Sequence, residues 1–224
     1  GLVRLRSFNF QHNLIKVFTN QTFNGLINNV NILLMENNPL EIIKKHTFLN
    51  LKYNQDQMSF KSFQIRELES YSFQGLSFMY SLDLSDNMIQ IIQYYTFYGL
   101  YNLEKLFLEN NLISNILTNS FDTTLKSLKH LHLSFNKLSF IKNKWFNSLI
   151  ALENLYLDNN LIIEIEDNAF ENLNKLTLLN LTNNKIDNIK NQTFIDLVNL
   201  KRLDLSENKF CNKSILCSSY YIEK

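Results

Sequence analysis

The chain has 224 residues and sets 22 Lys and Arg against 21 Asp and Glu, a formal net charge of +1. That balance gives no electrostatic footprint for nucleic acid or an anionic membrane surface, and no stretch approaches the ~18 apolar residues of a membrane span. With 4 Gly, 1 Pro and no linker or low-complexity block, nothing marks an internal domain boundary.

From the N-terminus, one frame recurs. Repeats open at Leu5, Val30, Gln55, Met79, Leu103, Leu128, Leu152, Leu176 and Leu200, so residues 1–210 read as an array of about nine units with periods of 24 or 25. Inside each unit apolar and variable residues alternate, as in Leu82-Asp83-Leu84, Leu131-His132-Leu133 and Leu155-Tyr156-Leu157. Period two means a short strand with one buried face. Identical return segments force such strands to stack in parallel, with the variable residue on the exposed, concave side.

Three residues after the last strand Leu comes an Asn: Asn13, Asn38, Asn87, Asn111, Asn136, Asn160, Asn184 and Asn208. A buried turn leaves backbone donors and acceptors unpaired, and a carboxamide, with donors and an acceptor, can satisfy them between adjacent turns. The series breaks once, at Phe63, which predicts an irregular turn in the third repeat. Further along stand Phe23, Phe48, Phe73, Phe97, Phe121, Phe146, Phe170 and Phe194, again 24 or 25 apart. Their strict register predicts a buried aromatic spine on the convex side, not a cofactor box.

The concave row runs Asn9, Leu34, Ser59, Asp83, Phe107, His132, Tyr156, Asn180 and Asp204. Phe107, His132 and Tyr156 are adjacent members, flanked by Lys105, His130, Asn154 and Phe135; exposed aromatics with polar neighbours have the composition of an interface hot spot. His130 and His132, two apart on one strand with Glu109 and Asp158 at the ends of neighbouring strands, also have a zinc-like ligand set. A solvated pair in a variable row explains them without metal, so no metal and no cofactor is assigned. Ser-His-Asp, phosphate-loop and paired-carboxylate motifs do not occur outside the frame.

The frame Leu-x-x-Leu-x-Leu-x-x-Asn-x-Leu, completed by Phe and a Leu three residues on, resembles the leucine-rich repeat in its typical subtype. The resemblance implies an α/β solenoid: a right-handed horseshoe with a parallel sheet on its concave face. It also implies a non-enzymatic role in ligand recognition. Asn208-Lys209-Phe210-Cys211 is similar to the opening of the cysteine-rich C-terminal cap of extracellular members, although Lys209 stands for the usual Pro and only Cys217 follows. Residues 211–224 are accordingly read as a partial cap. Cys211 and Cys217 are either a disulfide of an oxidising compartment or two thiols of a reducing one; both lie outside the repeats and none lies inside them, which favours the disulfide. Only four residues precede the first repeat, and the chain reads as a piece of a longer ectodomain.

Four sequons stand at Asn20, Asn180, Asn191 and Asn212, about the number that 34 Asn and 28 Ser or Thr produce by chance, so they carry no weight for secretion. Capped typical-subtype repeats resemble animal extracellular receptors. Toll and Toll-like receptors come first, adhesion and neuronal guidance proteins second, hormone-receptor ectodomains third and a metal-dependent enzyme last. That resemblance implies an extracellular or cell-surface location, a protein or glycan partner on the concave or lateral surface, and receptor dimerisation.

Overall fold

The computed structural model describes residues 7–24, 32–51, 57–190, 192–209 and 220–221. Nine three-residue strands line one side: Ser7–Asn9, Ile32–Leu34, Gln57–Ser59, Ser81–Asp83, Lys105–Phe107, His130–His132, Asn154–Tyr156, Leu178–Asn180 and Arg202–Asp204. Each begins two residues after a repeat opening. From Gln57–Ser59 to Arg202–Asp204 all neighbours pair in parallel, and the frame leucines meet their own kind: Leu82 opposite Leu106, then Leu131, Leu155, Leu179 and Leu203. In the central strands the middle residue is buried and its two flanks are half-buried. This is a parallel-sheet solenoid.

The concave strands fall into two sheets, one from repeats one and two and one from repeats three to nine. On the convex side, two-residue strands at Val17–Phe18, Ile42–Ile43 and Glu67–Leu68 pair across the first three repeats, so the array continues past that division. The last concave strand is covered by Tyr220–Tyr221, which pairs antiparallel to it and occupies its edge hydrogen bonds. Further along, Ile91–Ile92 pairs with Asn115–Ile116 and Phe140–Ile141 with Glu164–Ile165, again in parallel, and a 3-10 turn stands at Thr123–Leu125. Asp122 caps it by accepting from Thr124 N at 2.8 Å.

The asparagines bridge the turns. Asn111 Nδ2 donates to Leu84 O of the preceding repeat at 2.9 Å and to Leu108 O at 3.1 Å, while its Oδ1 accepts from Ile89 N at 3.0 Å. Asn136 repeats this with Leu108 O, Leu133 O and Ile113 N. Asn13 is exposed and bonds only locally, to Phe10 O and Gln11 O. The residue before each ladder position is left-handed, with φ between 52° and 60° from His12 to Glu207. At Phe63 the turn is irregular: both Ser62 (φ 60°) and Gln64 (φ 74°) are left-handed, and the Phe63 ring is buried against Phe60.

The phenylalanine spine stacks ring on ring, with centroids 5.4 to 6.0 Å apart from Phe23 through Phe146, and Phe170 meets Phe194 at 5.8 Å. Phe194 is only partly buried. A second ladder precedes it: Thr47, Ser72, Thr96 and Ser120, each just before a spine Phe, are buried. Ser120 Oγ donates to Leu117 O at 2.6 Å and sits 2.9 Å from Ile92 O of the repeat before.

Removing one spine ring from mid-array, Phe121→Ala, should destabilise the fold by about 3 to 5 kcal/mol, because stacked neighbours on both sides cannot collapse into the void. Asn136→Ala should cost about 1 to 3 kcal/mol for each backbone group it orphans. Urea unfolding followed by circular dichroism measures both; a wild-type midpoint for Phe121→Ala would remove the spine as a source of stability.

Candidate functional site

Phe107, His132 and Tyr156 are brought together. Parallel register places them on one line across three neighbouring strands. The Phe107 and His132 ring centroids lie 4.8 Å apart, tilted by 38°, and those of His132 and Tyr156 lie 4.4 Å apart, stacked at 19°. The imidazole is therefore sandwiched. Burial pushes its pKa down from 6.5 to about 4, helped by neighbouring His130 and opposed by Asp158. At neutral pH the stack is an uncharged amphipathic strip with its rings half-buried in the sheet surface.

The flanking residues brace that strip. The Asn154 amide donates to His130 Nδ1 at 3.0 Å, and Asn154 Oδ1 lies 3.3 Å from the Thr177 hydroxyl. Burial also lowers the His130 pKa, which suits a ring nitrogen that accepts. Lys105 reaches the other way, its Nζ 5.5 Å over the Tyr80 ring. Asp158, at the end of the Tyr156 strand, gathers Ser134 Oγ at 2.6 Å, Asn159 Nδ2 at 2.8 Å and Asn180 Nδ2 at 3.0 Å. Phe135 stands apart from the strip: it is the left-handed residue before Asn136, exposed in the turn beyond the strand.

The zinc-like set does not assemble. Among the described residues no three His, Cys, Asp or Glu side chains converge as metal ligands; His132 is held between rings and His130 by an amide. His46 is hydrogen-bonded to Gln74 Oε1 at 2.8 Å on the convex side. Asn20 is exposed on a return segment, as a glycan requires. Asn180 is committed at both ends, to Asp158 and to Thr182 N, so a glycan there would take one of the two Nδ2 hydrogens beside the Asp158 bond. Asn191, Asn212, Cys211 and Cys217 lie outside the described residues.

A column on the convex turns escaped the sequence reading. His46, Tyr71 and Tyr95 stack at 5.8 and 5.4 Å, all left-handed, at the slot that Asn119 and Asn168 fill in later repeats. Its signal in the sequence is the aromatic residue two positions before Phe48, Phe73 and Phe97.

The leucine rich repeat family model matches residues 61–113, 79–126, 101–162 and 150–210, which together run unbroken from 61 to 210. The chain belongs to the leucine-rich repeat family, whose fold is typically a non-enzymatic protein-interaction scaffold. No curated protein matches it. Among the described residues no helix is long and apolar enough to cross a membrane.

The sandwiched imidazole gives a pH signature. In the unfolded chain His132 titrates near its ordinary value of about 6.5, and in the folded chain near 4. Between the two the unfolded state holds the extra proton, so stability from this residue is complete above about 6.5 and is lost as pH falls toward 4. His132→Phe keeps the stack and removes the titration. The melting temperature of the wild type should therefore fall more steeply across this window than that of the variant; parallel curves would show that the ring titrates freely.

Proposed function

We propose that this leucine-rich repeat array recognises a protein or glycan ligand on its concave face, as part of the ectodomain of a cell-surface receptor of the Toll-like kind. The observation that carries the recognition reading is the Phe107–His132–Tyr156 stack. Three rings at 4.8 and 4.4 Å, continuous over three strands, are held before any ligand arrives. Preorganisation removes the side-chain entropy that binding otherwise costs, about 0.5 to 1.5 kcal/mol for each immobilised chain. Large rings that combine an apolar face with a polar edge are the side chains that dominate interfaces. The receptor reading adds the typical-subtype frame and the cap-like Asn208-Lys209-Phe210-Cys211 segment.

Two measurements test it. The chain is screened against arrays of secreted proteins and of glycans, and each hit is titrated against Phe107→Ala and Tyr156→Ala. Either truncation should weaken binding by at least about 30-fold, equivalent to about 2 kcal/mol, with an unchanged circular dichroism spectrum because neither ring belongs to the core. Wild-type affinity in both variants would move the site off the concave strip. For the extracellular reading, Cys211 and Cys217 should resist alkylation in protein isolated without reductant; two reactive thiols would withdraw it.

A further inference from the structure

A recess of about 420 Å³ opens on the concave face, lined by residues of repeats two to five. It lies where the two concave sheets meet, beside the turn that Phe63 makes irregular. Leu33, Met35 and Met58, all buried, lie beneath it, Phe107 forms one wall, and the small side chains of Ser59 and Ser81 leave it open. The volume is that of a ligand-binding cleft.

Its rim is acidic. Glu36 and Asp83 line it. Behind Asp83 the charge continues: the Glu109 carboxyl feels both Asp83 and Asp86, and the Asp86 N–H donates to Glu109 O at 3.0 Å. Lys61 lies 3.4 Å from Asp86 and is more than half exposed. Lys105, on the strand of Phe107, is turned onto the Tyr80 ring. Burial holds the Glu109 carboxyl above the usual carboxylate range, and Asp83 and Asp86 add to the effect. Its Oε2 is buried with no hydrogen-bond donor among the described residues. A cation held at Asp83 would offset this crowding of like charge through space.

We propose, building on the concave recognition face, that this recess receives a lysine or arginine side chain carried on an extended basic segment of a protein partner. The methylene stem of such a side chain suits a floor of Leu and Met while its head reaches the carboxylates. The same rim repels nucleic acid and anionic lipid heads. Since the whole chain carries only +1, attraction for a cation is local to this face rather than a general property of the protein.

Fluorescence anisotropy with labelled hexa-arginine and hexa-lysine tests this, with hexa-serine and hexa-glutamate as controls. The full chain should bind both basic peptides and neither control. Glu36→Lys, on the exposed rim where it cannot disturb the core, and the isosteric pair Asp83→Asn with Glu109→Gln should each weaken hexa-arginine by at least about tenfold. The paired variant should melt no lower than wild type, since it relieves repulsion between neighbouring carboxylates. Equal binding of hexa-arginine to wild type and to both variants, or hexa-serine binding as tight as hexa-arginine, would overturn the assignment. The two readings fail separately. Screened ligands insensitive to Tyr156→Ala, with peptide binding intact, remove the aromatic strip and keep the recess; sensitivity to Tyr156→Ala with no peptide binding removes the recess alone.

Discussion

The structure depends on one constraint: the turn after each concave strand is buried, and its backbone must be satisfied from the next repeat. A carboxamide does this because it both donates and accepts, so Asn111 can hold Leu84 O, Leu108 O and Ile89 N at once. Each Asn thereby fixes the distance and rotation between its own turn and the one before. The strands have little freedom left, and identical leucines face each other from Leu82 to Leu203. Parallel register is the outcome of the ladder as much as of the strand hydrogen bonds, which number few in segments three residues long.

Where the ladder fails, the surface changes. A phenylalanine at position 63 can neither donate nor accept through its side chain, and the ring instead packs inward against Phe60. The turn answers with an additional left-handed residue, Gln64. The concave strands divide into two sheets at the same repeat boundary, and the recess opens there. One substitution in an otherwise periodic frame thus accompanies a local departure from periodicity on the concave face.

Periodicity also explains what could be read from the sequence. The nine strands begin where the frame places them, the spine residues line up, and the three-ring strip follows from the concave row, because repeated units convert sequence offset directly into position. Features that depend on how two unlike residues meet were not legible. The buried hydroxyls of Thr47, Thr96 and Ser120 look like ordinary surface residues until their carbonyl partners are known. Phe63 announced an irregular turn but not the division of the sheet. Phe135 flanks the strip in sequence, whereas the left-handed conformation of its own turn carries it away. The antiparallel pairing of Tyr220–Tyr221 with the last repeat lies outside the frame altogether.

The concave face that results has two chemically distinct halves sharing one residue. Toward the C-terminal side of Phe107 runs an uncharged strip whose imidazole is kept neutral by burial; toward the N-terminal side lies the acidic recess whose wall Phe107 also forms. Phe107 is held by its stack on His132, so a partner side chain entering the recess meets a wall that is already fixed. A segment long enough to span three or four repeats, each about 4.8 Å from the next, would place an aromatic or apolar residue on the strip and a cation in the recess within roughly five residues of extended chain. Affinity from the strip and selectivity from the recess would then be supplied by different physical interactions. Salt would weaken the second while leaving the first largely intact, because screening acts on exposed charge and not on buried apolar contact.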